Sequence, residues 1–71
     1  MTRDELRKIV KELPKGSREK LRVQFGFRHI GSVNNILSGQ KKNDQVVLAA
    51  AAIVDENRKS MEEAAKFAQS L

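Results

Sequence analysis

Apolar residues recur along this chain at intervals of three and four, the spacing that places side chains on one face of an α-helix. Leu6, Ile9, Val10 and Leu13 share such a face, predicting a first helix over about residues 3 to 13. Thr2 and Glu5 stand at capping-box spacing: the threonine oxygen can take a free backbone N–H of the first turn while the glutamate returns the bond. Pro14 and Gly16 stop this helix. Ser17 is the expected N-cap of a brief second helix from Arg18 to Phe25, with Leu21 and Phe25 as its apolar stripe and Gly26 at its end. Ile30, Val33, Ile36 and Leu37 then repeat at helical spacing in a third helix from about His29 to Ser38, where Gly39 supplies a left-handed terminating residue. Asn43 or Asp44 can cap a fourth. From there to Leu71 no Pro or Gly intervenes, so a single helix of up to about 27 residues would be roughly 40 Å long. The alternative is a break near Asp55 to Asn57.

The fold class expected is therefore all-α: a four- or five-helix bundle with a long C-terminal helix. The 71 residues form a single domain, with a core in about residues 1 to 55 and a helical extension over about 56 to 71. Along the last helix Val47, Ala50, Val54, Asn57, Met61, Ala64, Ala68 and Leu71 are spaced alternately by three and four, a heptad-like seam that needs a partner. The front of this seam can pack into the domain's own core. The rear, at Met61, Ala64, Ala68 and Leu71 with Phe67 beside it, is expected to meet a second copy of the chain, and Asn57 would fix the register. A domain this short buries only about 60% of its unfolded surface, so a self-partner adds useful burial.

Charge sharpens the picture. The net charge is +5, but residues 1 to 42 carry 11 of the 14 Lys/Arg and only 4 of the 9 Asp/Glu, a local balance of +7, against −2 for the remainder. A basic front and a mildly acidic rear point to a polyanionic partner for the first half. No apolar run approaches the roughly 20 residues of a membrane helix. The start, Met-Thr-Arg-Asp-Glu, is acidic where a signal peptide would be basic and then apolar. A cytoplasmic protein is expected. With one histidine and no cysteine there is no metal-ligand set and no implied cofactor, and no glycine-rich phosphate loop is present. Glu62 and Glu63 are adjacent on a helix and point different ways, so they read as surface charge. The chain is not expected to be an enzyme.

A short helix, a tight turn, a second helix and a glycine-ended basic loop form the bihelical unit that lays one helix in a DNA major groove. Val33, Ile36, Leu37, Ser38, Gly39, Gln40, Lys41, Lys42 and Asn43, followed by Val46, Val47, Ala50, Ala51 and Ile53, resemble the second half of a phage-repressor-like (Xre-type) helix-turn-helix domain. The resemblance covers roughly residues 17 to 54. Counting back from Val33, Val23 falls on the family's small alanine and Phe27 on its turn glycine, with Gly26 one place early. Either the turn is one residue longer than usual or the first helix of the unit is rotated. The resemblance implies a transcriptional regulator that binds double-stranded DNA sequence-specifically, as a homodimer.

If Val33, Ile36 and Leu37 pack inward, then His29, Asn34, Asn35 and Ser38 are left to reach base edges. An asparagine amide both donates and accepts, matching the N6 and N7 edge of adenine. Two adjacent asparagines also oppose helix propensity, which favours a functional reason for them. Arg18, Lys20, Arg22, Arg28, Gln40, Lys41 and Lys42 are the candidate phosphate contacts, which set register and affinity without reading sequence. Ile30 is assigned to the core in preference to contact with a thymine methyl. The competing reading is a helical protein-interaction module, an antitoxin or adaptor, whose basic face meets an acidic protein; nonspecific nucleic-acid binding is disfavoured by the scarcity of stacking aromatics.

Overall fold

The computed structural model describes residues 2–70, and within them the chain is all-helical: α1 (Arg3–Glu12), α2 (Ser17–Phe25), α3 (Ile30–Leu37) and α4 (Asp44–Ser70). Local chemistry sets most of these boundaries. The Thr2 hydroxyl accepts from the Glu5 backbone N–H at 3.2 Å, so the threonine arm of the capping box starts α1. Asn43 Oδ1 accepts from the Val46 N–H at 3.2 Å and starts α4. At the start of α2 the expected cap shifts by one residue. Gly16 takes the flanking position with φ 86°, and Ser17 is the first helical residue, buried, its hydroxyl turned back to donate to the Pro14 carbonyl at 2.7 Å. The serine thus ties α2 to the end of α1 instead of capping its own helix.

α2 and α3 end alike. After α2, the Phe27 N–H reaches the Arg22 carbonyl and the Gly26 N–H the Val23 carbonyl; after α3, the Gln40 N–H reaches Asn35 and the Gly39 N–H reaches Ile36. These are paired Schellman bonds, and they require a left-handed residue where Gly26 (φ 72°) and Gly39 (φ 87°) stand. Each glycine absorbs a sharp reversal that would strain any side-chain-bearing residue.

The core is one cluster of Leu21 from α2, Val33, Ile36 and Leu37 from α3, and Val46 and Ala50 from α4. Ile9 and Val10 of α1 and Leu13 just after it close it from one side, and Phe25 and Phe27, stacked with ring centroids 6.4 Å apart, cover the α2–α3 turn. Ile30 departs from expectation: it is 38% exposed. Three residues before Val33 and at the very start of α3, it lies on the rim of the buried face and is only partly covered.

α4 runs unbroken through Asp55 to Asn57, which resolves the bundle as four helices. Its 27 residues give the molecule its long dimension in overall extents of 46 × 26 × 16 Å. Val46, Ala50 and Val54 are buried against the other helices, and every described residue from Arg58 onward is exposed. The last tether is an ion pair between Arg58 and Glu12 of α1. No helix among the described residues is long and apolar enough to cross a membrane.

The hydrogen bond from Arg58 holds the Glu12 carboxyl below the usual carboxylate range. A depressed folded-state value means the tether contributes above the ordinary carboxyl pKa near 4.5 and is lost as pH falls through the lower value in the fold. Glu12→Gln is therefore expected to lower the melting temperature slightly at pH 7, with the deficit shrinking as the pH is taken progressively below 4.5, as read by thermal circular dichroism. An equal deficit at every pH would assign the loss to packing.

Candidate nucleic-acid interface

α3 presents two opposed faces. Val33, Ile36 and Leu37 are buried; at 100° per residue Gly31, Asn35 and Ser38 fall on the opposite side and Asn34 on its flank, 100° from Val33, and all four are exposed. The core locks the helix rotationally, so this polar face is held outward by packing on its back. The structure thus brings together three of the four expected base-reading residues. The fourth, His29, is exposed at the N-cap position and makes no capping hydrogen bond.

Within the face the side chains differ in how free they are. Among the described residues neither the Asn34 nor the Asn35 side-chain amide has a hydrogen-bond partner. Ser38 is more committed. Its hydroxyl donates to the Asn35 carbonyl at 3.1 Å, the same oxygen that accepts from the Gln40 and Lys41 backbone N–H groups at 3.0 and 3.2 Å. The Asn35 carbonyl therefore gathers the loop after α3, setting Gln40, Lys41 and Lys42 beside the end of the polar face, while the Ser38 oxygen keeps only its acceptor capacity. Gly31 leaves the face open at its upstream end: a Cβ built there meets nothing within 4 Å. Glycine in a helix costs about 1 kcal/mol relative to alanine, and no close contact among the described residues accounts for its use there.

The expected phosphate contacts do not form one patch. Arg22 is spent within the fold. Its guanidinium pairs with Glu19, with Nε 3.0 Å from both carboxylate oxygens, and donates through Nη1 to the Phe27 carbonyl at 3.0 Å. The bond to Phe27 staples the end of α2 to the turn, and the hydrogen bonds to Glu19 hold that carboxyl below its ordinary range. Arg18 and Lys20, two positions apart, point about 200° from each other on α2, and Arg18 lines a cleft with Pro14, Lys15 and Gly16 at the α1–α2 junction. Arg28 is exposed in the turn. Lys41 and Lys42 line a groove between their loop and the start of α1, together with Arg3. None of Arg18, Lys20, Arg28, Lys41 and Lys42 pairs with an acid among the described residues.

Val23, expected on the packed small-residue position, is 64% exposed, while its neighbour Arg22 is half-buried against the turn. Gly26 closes α2 immediately, and Phe27, Arg28 and His29 carry the chain to α3. Arg3 is a residue that the linear reading passed over; only the packing of α1 along α3 brings it to the lysine loop.

The expected assembly residues lie at the far end of the molecule. Met61 and Phe67 are 65% and 68% exposed, and Ala64 and Ala68 are exposed beside them; Leu71 lies outside the described residues. Asn57, half-buried, donates from Nδ2 to the Met61 sulfur at 3.7 Å. No family model, curated protein or solved structure matches this chain.

Proposed function

We propose that this protein is a cytoplasmic, repressor-like helix-turn-helix regulator that binds double-stranded DNA sequence-specifically, with α3 as its recognition helix. The observation that carries the reading is the pair of unpartnered amides, Asn34 and Asn35, held outward on a helix whose buried face is locked in the core. A major groove about 12 Å wide admits one such helix, and exposed amides are the groups that read adenine there. Gly31 adds room for close approach, and unpaired Lys41 and Lys42 at the end of the helix suit the flanking phosphates. The reading assigns no catalytic step and no cofactor.

Two copies are part of the proposal. Beyond Arg58 the final twelve described residues of α4, about 18 Å of helix, are all exposed. A free helix of that length is marginal in water, and a second copy across Met61, Ala64 and Ala68 would cover its apolar stripe. A two-fold pair also sets two recognition helices for half-sites one DNA turn, about 34 Å, apart. The exposed Met61 and Phe67 equally favour a second reading, a helical interaction module of the antitoxin or adaptor kind, in which another protein takes that stripe.

Selection of duplexes from a random pool tests the proposal. A regulator enriches a short, two-fold-related site, whereas an adaptor enriches none. Binding should also weaken steeply with salt, and Lys41→Ala with Lys42→Ala should make the slope of log K against log salt shallower by up to about 2. A double variant with the full slope would remove these lysines from the phosphate footprint.

A further inference from the structure

α1 carries Arg3, Arg7 and Lys11 at intervals of four, so the three cations lie in one stripe about 12 Å long. Packing gives the stripe a place. All three line the groove that α1 forms with the end of α3, across from Ser38 and Gln40, and Arg3 also borders the neighbouring groove with Lys41 and Lys42. Five cations from two distant stretches of sequence thus run continuously from the loop after α3 onto α1. Two of the helix's acids are turned away: Glu5 and Glu12 line the opposite groove, against α4, and Glu12 is taken by Arg58. Asp4 stands next to the stripe, but no ion pair forms between it and any of the three among the described residues. Asp44 also borders the groove at Lys41 and Lys42, yet like charges are costly to hold in line and none of the five cations forms an ion pair among the described residues.

We propose that Arg3, Arg7 and Lys11 form a second phosphate-binding track, which extends the DNA contact from the Lys41–Lys42 loop outward along the sugar–phosphate backbone. The inference rests on the DNA-binding reading and adds a surface to it. The spacing suits a polyanion with regularly repeated charge. A strand of duplex presents one phosphate per 3.4 Å of axis, so a 12 Å stripe faces on the order of three. Because the track touches phosphates and no base edges, it supplies affinity and register without selectivity.

The test is the triple variant Arg3→Gln, Arg7→Gln, Lys11→Gln, which keeps helix-forming side chains, beside a control of equal charge loss, Lys8→Gln, Lys15→Gln, Lys66→Gln, on other faces. Binding to the selected duplex is followed against salt, with circular dichroism to check helicity. The track predicts a log–log slope shallower by up to about 3 for the triple variant and nearly unchanged for the control, with equal losses on selected and random duplex. Phosphate-ethylation interference should vanish at the outermost phosphates of each half-site and persist elsewhere. Arg3→Lys with Arg7→Lys should keep the wild-type slope, since charge alone is required. If the triple variant retains the full slope, or the control loses as much, the track is overturned while the role of α3 stands. If the wild type binds no duplex even at low salt, both readings fall together.

Discussion

Replacing Asn34 or Asn35 by alanine is expected to weaken binding to the preferred duplex by about 1 to 3 kcal/mol, roughly 5- to 150-fold, while leaving binding to random duplex nearly unchanged. The asymmetry follows from where the two side chains sit. Both are exposed on α3, Asn35 opposite Val33, Ile36 and Leu37 and Asn34 on the flank of that face, and neither amide has a partner within the described chain. Removing either therefore breaks nothing inside the fold. Alanine is also the better helix former, so the variants should melt no lower than wild type. Titration of a selected and a scrambled duplex by fluorescence anisotropy, with thermal melts alongside, separates the outcomes. Equal losses on both duplexes would contradict base reading, and a lowered melting temperature would recast the pair as structural. The Asn35 carbonyl that gathers the Ser38–Lys41 loop belongs to the backbone and survives the substitution, so the loop lysines keep their place.

The second large effect concerns assembly. Met61→Lys together with Phe67→Lys should convert the protein from dimer to monomer at micromolar concentration and weaken binding to a two-fold site by roughly 10²- to 10⁴-fold, the range that linking two binding modules ordinarily provides. Half-site binding should change little, because both residues stand beyond the Arg58–Glu12 tether and touch neither α3 nor the basic groove. The stripe is narrow and built mostly from alanine, which lets two helices approach closely. A lysine in place of either large apolar residue would put a charge into that contact. Asn57, bonded to the Met61 sulfur in the single chain, would meet the start of the seam, where a polar group costs stability but fixes register. Sedimentation velocity on wild type and variant decides the matter. A monomeric wild type, or a variant that dimerises as well, would leave the stripe to another protein and favour the adaptor reading.

Much of the architecture is legible in the sequence, for a physical reason: helix ends are governed by groups three to five residues apart. Thr2, Asn43, Gly26 and Gly39 act on backbone groups so close in sequence that each boundary falls within a residue or so of expectation. Spacing likewise marked Val33, Ile36 and Leu37 as one face, and by subtraction placed Asn34 and Asn35 off it. Even here a local competitor changed one detail, when the Ser17 hydroxyl found the Pro14 carbonyl instead of its own first turn.

What spacing could not decide is which groups meet across the fold. Arg22 and Lys41 are alike as basic residues in a basic segment. Only the folded turn, with Glu19 and the Phe27 carbonyl around one guanidinium, makes the first a structural staple and leaves the second free of any described acid. Ile30 sits at helical spacing from Val33, yet periodicity carries no record of where a neighbouring helix stops, and the rim position leaves it exposed. The alignment of Arg3, Arg7 and Lys11 with a loop some thirty residues away is also a product of packing α1 along α3, as is the end of cover on α4 at Arg58. Hydrogen bonds within a turn are short-range and were written in the order of residues; burial and charge neighbourhood depend on the relative placement of whole helices, which the joint packing around Leu21, Val33 and Val46 alone determines.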